Sequence, residues 1–174
     1  MITAAVSTVI LIICLLTYGI YYHDQAKTYK YNLENQYNRA FYDLMDNISS
    51  TENYLLKASV TGTSEMQTMM LEEAGAAAAQ AESCLSLLPV DQNLMSKISN
   101  FLVQLKDISH TWNNAMINGE PLSDEQYQIL EELYGYSQDL TGAFQAVWTD
   151  LGNSAYNWSD ISRDSANILN DEGL

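Results

Sequence analysis

The sequence is poor in the residues that metal sites, disulfide frameworks and nucleic-acid interfaces require. Its 174 residues include 7 Lys and Arg, 2 His and 2 Cys, and no CxxC pair. Neutralising phosphates takes Lys and Arg, so a net charge of −15 disfavours a nucleic-acid partner. The two Cys and two His stand at 14, 84, 23 and 110, without the closely spaced pairs of a structural zinc site, so the sequence disfavours one. Only 2 Pro and 8 Gly, alongside 47% hydrophobic residues, disfavour a disordered or all-β chain.

Motifs of common catalytic and phosphate-binding sites are also missing from the sequence. There is no Gly-rich phosphate loop and no GxSxG. Asp107 and His110 have the spacing of a metal-binding pair in helical bundles, but a di-metal site needs that motif on two helices and it occurs once. Cys84 could meet His110 across two helices, yet no motif supplies an orienting group or an oxyanion site. We therefore predict a non-enzyme that holds no metal and no cofactor.

The first charged side chain is Asp24, so residues 2–22 form an uncharged and mostly apolar run. As a helix, this run would reach roughly 30 Å, the thickness of a bilayer hydrocarbon core. It predicts an uncleaved transmembrane anchor over residues 1–23, in contact with membrane lipid. A cleaved signal peptide is the alternative, but the apolar run is longer than such peptides use and no basic segment precedes it. The residues expected to mark the anchor are Ile2, Val9, Leu11, Leu15, Tyr18 and Tyr22.

Beyond residue 23, apolar or small residues recur at alternating steps of three and four, which is typical of helices that pack side by side. The pattern predicts helices at about 24–61, 64–88, 91–118 and 123–171. The expected fold is all-α, with an N-terminal transmembrane helix and an antiparallel four-helix bundle over residues 24–174 whose first and last helices are long. A two-stranded coiled coil, which would make an elongated homo-oligomer, is the rival interpretation. The breaks are spaced to fold the chain back on itself, which favours the bundle.

Local signals mark where the predicted helices begin and end. Ser64 with Gln67, and Ser123 with Gln126, have the spacing of capping boxes, in which the two side chains satisfy backbone N–H groups reciprocally. Asp91 is the expected cap of the third helix. Pro89 ends the second helix, because proline removes a donor and disfavours helix in the residue before it.

Acidic residues are concentrated near the C-terminus of the sequence. From Glu120 onward the chain is rich in Asp and Glu, and Arg163 is its only base. One interpretation is a solvated helix face. The other is a docking surface for a basic partner, since a field of one sign speeds the encounter of charged proteins.

A local signature follows the predicted anchor, the sequence NQYNRAFYDL at 35–44. It is followed by LLP at 87–89 and by PLSDEQY at 121–127. In these motifs and in their order, the chain resembles the N-terminal region of the YpeB family of sporulation and germination proteins.

The resemblance implies a location and a partner. Members of the family are single-pass proteins of the spore inner membrane with their bulk on the outer, cortex-facing side. They are needed for the stability of the cortex-lytic enzyme SleB, which cleaves peptidoglycan, and are not hydrolases themselves. The implied function is a membrane-anchored scaffold of spore germination. Family members continue into C-terminal PepSY-type domains, which we expect to be absent from this chain.

The signature also contains the candidate partner interface, which consists of Tyr37, Arg39, Phe41 and Asp43. Tyr and Arg are enriched where interfaces carry their energy. The competing interpretation is internal packing for Tyr37 and an i, i+4 ion pair for Arg39 with Asp43. An alternative function for the whole chain is an extracytoplasmic four-helix-bundle ligand sensor. The charges in residues 158–174 weigh against it, because a sensor of that type returns through the membrane.

Overall fold

The structure is a computed structural model that describes residues 2–152 and Trp158, with side chains described for Tyr18, for residues 21–150 and for Trp158. Helices α1 (Ile2–Val60), α2 (Ser64–Leu85), α3 (Gln92–Ile117) and α4 (Asp124–Gly152) follow one another along the chain. No strand occurs in this described part. The prediction of an all-α chain with four helices is confirmed. The predicted continuation of the fourth helix to residue 171 lies outside the described residues, apart from Trp158.

The chain divides into two compact units, Met1–Gln36 and Tyr37–Leu174. The described part of the first unit is the beginning of α1, where Tyr18, Tyr21 and Tyr22 are exposed. The Tyr18 and Tyr22 ring centroids lie 4.5 Å apart.

The transmembrane anchor remains a prediction. Within the part of the chain that the structure describes, no helix is both long enough and apolar enough to span a membrane. Ile2, Val9, Leu11 and Leu15 have side chains outside that part, so the core of the predicted anchor is among the residues left undescribed.

The second unit has a hydrophobic core to which all four helices contribute. From Ala40 to Ala58 on α1 and from Leu130 to Phe144 on α4, the residues at the predicted steps of three and four are buried. On α1 the buried residues of this stripe are Ala40, Leu44, Ile48, Thr51, Leu55 and Ala58, and Phe41 beside the stripe is buried as well. On α4 they include Leu130, Leu133, Ser137, Leu140 and Phe144. These stripes form because a helix that keeps its apolar side chains three and four residues apart presents them on one face.

Helices α2 and α3 pack against each other in antiparallel orientation. The Ser99 hydroxyl donates to a Glu82 carboxylate oxygen at 3.4 Å, and the backbone of Gly75 approaches Ser109. An earlier residue of α2 therefore meets a later residue of α3. The predicted stripe of α2 is buried throughout, namely Leu71, Ala74, Ala78, Ala81 and Leu85, with Leu88 following the helix.

The buried stripe of α3 differs from the predicted one by one residue along part of the helix. The steps of three and four predict a stripe that runs through Leu94, Ile98, Phe101, Leu105, Ile108, Trp112 and Ala115. In the structure Leu102, Ser109 and Met116 are buried, whereas Phe101 and Ile108 are only partly buried. The close approach explains the difference at Ser109. A Cβ added to Gly75 would lie 3.1 Å from the Ser109 Cβ, so the contact has no room for an isoleucine.

The helix ends confirm two of the predicted caps. Asp91 Oδ1 accepts from the backbone N–H of Asn93 at 2.8 Å and so caps α3. The Ser123 N–H donates to Gln126 Oε1 at 2.8 Å, and the Gln126 N–H donates to Ser123 Oγ at 3.3 Å, which is the reciprocal pair of a capping box.

The predicted capping box at the start of α2 is wrong. Thr63, not Ser64, is the N-cap, and its side chain accepts from the Met66 N–H. Gln67 is buried, and its amide Nε2 donates to the Ala58 carbonyl at 2.9 Å and to the Tyr127 hydroxyl at 2.8 Å. One side chain thus joins α2 to α1 and α4 instead of capping its own helix.

Helix α2 also ends earlier than predicted, at Leu85 instead of residue 88. The N–H groups of Leu87 and Leu88 bond three residues back, to Cys84 and Leu85, in a tight turn. Because Pro89 disfavours helical backbone in the residue before it, the chain leaves the helix ahead of the proline.

Candidate partner-binding surface

An aromatic cluster joins α1 to α4 and to Trp158. At its centre Phe41 is 2% exposed. The Phe41 ring centroid lies 5.5 Å from that of Phe144, 6.0 Å from Trp148 and 5.4 Å from Trp158. Rings at these separations attract one another beyond the area they bury. The cluster therefore fixes the contact between α1 and α4.

Trp158 also packs against α1. Its side chain is buried, its Nε1–H donates to Asn38 Oδ1 at 2.8 Å, and its ring centroid is 5.9 Å from that of Tyr37. A buried indole needs a partner for its N–H, and Asn38 provides it. Tyr37 and Asn38 thus hold Trp158 in place.

Beside this cluster lies a surface that we call the α1/α4 rim, defined by Arg39, Tyr42, Asp46 and Trp148. The first three are spaced three and four residues apart on α1, so they share one face of the helix. The Arg39 side chain is 86% exposed, Tyr42 is 58% exposed and Trp148 is 37% exposed. The ring centroids of Tyr42 and Trp148 are 6.3 Å apart, which makes the aromatic part of the rim continuous.

A shallow groove of about 170 Å³ adjoins the rim between α1 and α4. Its lining residues are Tyr42, Met45, Asp46, Ser49, Thr141 and Gln145. Polar and apolar groups are mixed there, as they are at many protein–protein interfaces. The groove is too small for a drug-sized ligand, and such a shape is suited to receiving one side chain of a partner.

The four residues of the predicted interface differ in whether they pack internally or lie at the surface. Phe41 lies in the core and Tyr37 packs against Trp158. Arg39 is on the surface, with its Nε 3.8 Å from Asp43 Oδ2, so the predicted i, i+4 ion pair is present. An exposed pair of this kind contributes little stability, about 0–1 kcal/mol. A partner at this surface would touch Arg39 and Asp43 directly.

Sequence reasoning missed Tyr42 and Trp148 as surface residues. The spacing contained a signal for Tyr42, which is offset from the buried positions Ala40 and Leu44 and so faces outward. No such signal existed for Trp148, because its exposure depends on how its ring stacks on Phe41, a contact between residues far apart in sequence.

The surface of α4 is strongly acidic. From Glu120 to Asp150 every acidic side chain is exposed, and this stretch of the sequence contains no Lys or Arg. These residues are Glu120, Asp124, Glu125, Glu131, Glu132, Asp139 and Asp150. A single-sign field of this kind attracts a basic surface over a range set by salt screening.

The cysteine and histidine weighed in the sequence do not form a reactive pair. Ser109 lies at the level of Gly75, so in the antiparallel pair His110 is about 15 Å along α2 from Cys84 at 1.5 Å per residue. Burial, together with the Asp43 charge, raises the pKa of the Cys84 thiol. A raised pKa keeps the sulfur protonated and unreactive, which suits a packing role.

The metal-binding pair considered in the sequence is engaged elsewhere. The Asp107 Oδ1 lies 3.9 Å from Lys106 Nζ, and His110 Nε2 lies 3.1 Å from Asn114 Nδ2. Among the described residues, no three His, Cys, Asp or Glu side chains are grouped closely enough to hold a metal ion.

The sequence model of the YpeB N-terminal family matches residues 25–160, most of the chain. The chain belongs to the YpeB N-terminal family. The match covers the aromatic cluster and the α1/α4 rim, and it ends just past Trp158.

Two curated relatives of the family are similar along most of the chain. Sporulation protein YpeB of Halalkalibacterium halodurans is 25% identical over 147 residues, which are 84% of this chain and 33% of that protein. Sporulation protein YpeB of Bacillus subtilis is 20% identical over 144 residues, 83% of this chain and 32% of that protein. The chain thus spans about a third of the length of these relatives. No solved structure matches it.

Proposed function

We propose that this chain is the membrane-anchored, non-catalytic part of a YpeB-like scaffold that stabilises the cortex-lytic enzyme SleB during spore germination. Residues 1–23 would cross the spore inner membrane once, and residues 24–174 would lie on the outer, cortex-facing side. The observation that carries the proposal is the α1/α4 rim, found in a chain whose curated relatives are sporulation proteins. The coarser function, a sporulation protein of the YpeB type, follows from the family itself.

The scaffold is an antiparallel four-helix bundle in this proposal. Contacts at two levels of the second unit support it. Gln67 links Ala58, late in α1, to Tyr127, early in α4, while Phe41, earlier in α1, meets Phe144, later in α4. These contacts make α1 and α4 antiparallel, as α2 and α3 are. Short connections between consecutive helices are typical of the up-down-up-down arrangement.

A non-catalytic role fits the chemistry of the described side chains. Cys84 is kept protonated, and the acidic residues of α4 are spread along an exposed face instead of converging on a pocket. General acid–base chemistry needs titratable groups placed within reach of one reacting atom. The arrangement suits long-range attraction of a partner.

The α1/α4 rim has the composition of an interface centre. Trp, Tyr and Arg are the residue types that most often carry binding energy, and here one of each lies on a continuous surface. The aromatic rings are held by the cluster beneath them, so little side-chain freedom is lost when a partner binds. The rim would therefore supply the short-range contacts with SleB, and the acidic face of α4 would steer a basic face of the partner toward it.

The proposal is tested by changing the rim without disturbing the core. Arg39→Glu combined with Tyr42→Ser alters two exposed side chains. The matched control is Lys97→Glu with Tyr136→Ser, an exposed cation and an exposed tyrosine away from the rim. We expect the rim variant to lose most of the SleB retained in the spore membrane fraction, and the control to retain it. Both should unfold at the temperature of the unaltered protein.

Two results would contradict the proposal. If both variants retain SleB equally, the rim is not the binding surface. If SleB is stable in spores that lack this chain altogether, the scaffold function itself fails. If the acidic face of α4 attracts SleB, raising the salt concentration should weaken binding steeply. Binding that does not change with salt concentration would contradict this electrostatic attraction.

A further inference from the structure

A second concave site lies between α2 and α3, separate from the α1/α4 rim. It is a groove of about 500 Å³, a volume within the range of small-ligand sites. Its polar lining residues are Glu72, Lys106, Ser109, His110, Asn113 and Asn114. Its other lining residues are Leu71, Gly75, Ala76, Ala79 and Ile117.

Small side chains on α2 produce the groove. Gly75 lets the α2 backbone come close to Ser109. The small side chains of Ala76 and Ala79 line the groove beside that contact and leave its volume open. Larger residues at these positions would fill the volume. The groove is thus a direct result of the alanine-rich sequence of α2.

The groove contains a buried polar atom whose bonding capacity is unused. Asn113 is 8% exposed, and its Oδ1 forms no hydrogen bond with any residue that the structure describes. An acceptor buried without a donor destabilises the folded state, and buried polar groups are nearly always paired. An apolar residue of similar shape at this position would therefore give a more stable folded state.

We propose that this groove binds a short peptide segment, with the Asn113 amide pairing with one peptide unit of the ligand. The Asn side chain carries one acceptor and an NH₂ donor, which match the N–H and C=O of a peptide. Glu72 and Lys106 place opposite charges along the lining, which suits a ligand that carries both signs. The apolar part formed by Ala76, Ala79 and Ile117 receives small side chains.

Other ligand classes fit the lining less well. The lining contains no Phe, Tyr or Trp, so the small imidazole of His110 is the only lining ring on which a nucleobase could stack. Lys106 is the only Lys or Arg of the lining, whereas phosphate recognition usually relies on bidentate Arg or several donors. The peptide proposal is independent of SleB binding, because it uses α2 and α3 and leaves the α1/α4 rim untouched.

The test uses the full chain in detergent micelles and three capped tripeptides, the neutral Ala-Ala-Ala and the doubly charged Lys-Ala-Glu and Glu-Ala-Lys. Binding is measured by isothermal titration and by the shift of the Asn113 side-chain amide signal in nuclear magnetic resonance. We expect at least one tripeptide to bind saturably and to shift that signal. Asn113→Leu should weaken the binding at least tenfold without lowering the melting temperature, because an unpaired buried acceptor is removed. The matched control Asn100→Leu, an exposed position on α3, should bind as the unaltered protein does.

Four results would overturn the proposal. The first is that no tripeptide binds saturably, and the second is that the Asn113→Leu variant binds as tightly as the unaltered protein. The third is that N-acetylglucosamine, which carries its amide on a sugar ring, binds as tightly as the tripeptides. The fourth is a shift of the Asn113 signal on dilution without peptide, which would mean that a second copy of the chain occupies the groove.

Discussion

Two helix–helix contacts of the second unit, α1 with α4 and α2 with α3, are made by side chains of very different size. The α1–α4 contact is made by large rings, with Phe41 touching three other aromatic side chains. The α2–α3 contact is made by Gly, Ala and Ser, with Gly75 against Ser109. Large rings fill the space between helices and leave their edges on the surface as a rim. Small residues bring the backbones together and leave a groove outside the contact.

Removing the central ring of the aromatic contact should have the largest effect on stability. Phe41→Ala is expected to lower the free energy of unfolding by about 3–5 kcal/mol, since it removes a buried ring and leaves a cavity. Urea unfolding followed by circular dichroism measures the loss. Its neighbour Tyr42 is exposed, so Tyr42→Ala should cost below about 1 kcal/mol. Equal losses for the two would mean that the aromatic contact does not hold α1 to α4.

The second largest effect on stability should distinguish Gln67 from Gln126, two glutamines that have the same spacing from a preceding serine. Gln67→Ala removes hydrogen bonds to Ala58 and Tyr127 and is expected to cost about 2–3 kcal/mol, at roughly 1 kcal/mol for each bond plus the lost packing. Gln126→Ala removes only a capping interaction at an exposed helix start, at about 0.5–1 kcal/mol. Thermal unfolding of both variants tests the difference. A larger loss for the Gln126 variant would contradict the structure at the start of α2.

A larger side chain at the small-residue contact between α2 and α3 should destabilise the protein. Gly75→Val is expected to destabilise the protein by about 1–2 kcal/mol, because a Cβ already comes within 3.1 Å of the Ser109 Cβ. Gly142, on α4, has no atom within 4 Å of an added Cβ and provides the matched control. Gly142→Val should be neutral or slightly stabilising, because glycine is the poorer helix former. If Gly75→Val is equally harmless, α2 and α3 are further apart than described.

The smallest expected effect concerns the thiol between α1 and α2. Because its pKa is raised, Cys84 should react with iodoacetamide more slowly than a free thiol at neutral pH, and its rate should rise at a higher pH. Asp43→Asn removes a negative charge that disfavours the thiolate, so it should lower the pKa and speed the reaction modestly. The measurement is made in a Cys14→Ser background to isolate this thiol. A slower reaction of the Asp43→Asn variant would contradict the assigned cause.

Features that depend on neighbours in sequence were predictable. The four helices, the Asp91 cap, the Ser123–Gln126 capping box and the buried stripes of α1, α2 and α4 follow from periodicity and local bonding rules. Features that depend on distant residues were not. Ser64-Glu65-Met66-Gln67 has the same spacing as Ser123-Asp124-Glu125-Gln126, yet Gln67 bonds to α1 and α4 because those helices bury it.

The candidate surface shows the same limit. Its position in the NQYNRAFYDL segment was predicted, and Arg39 is exposed there as an interface residue would be. Periodicity alone could not show that Phe41 would be covered by Trp148 and Trp158, which lie more than a hundred residues further along the chain. The rim exists because that covering leaves Tyr42 and one edge of Trp148 uncovered.

The burial of Trp158 has a practical consequence for anyone preparing fragments. A fragment cut after Gly152 would keep α1, α2, α3 and the Asp124–Gly152 part of α4 but lose the indole that shields Phe41 and Tyr37. The apolar surface thereby exposed on α1 would cause such a fragment to self-associate. The resulting aggregates could be mistaken for a natural oligomer. Shortened versions intended for crystallisation should therefore extend past residue 158.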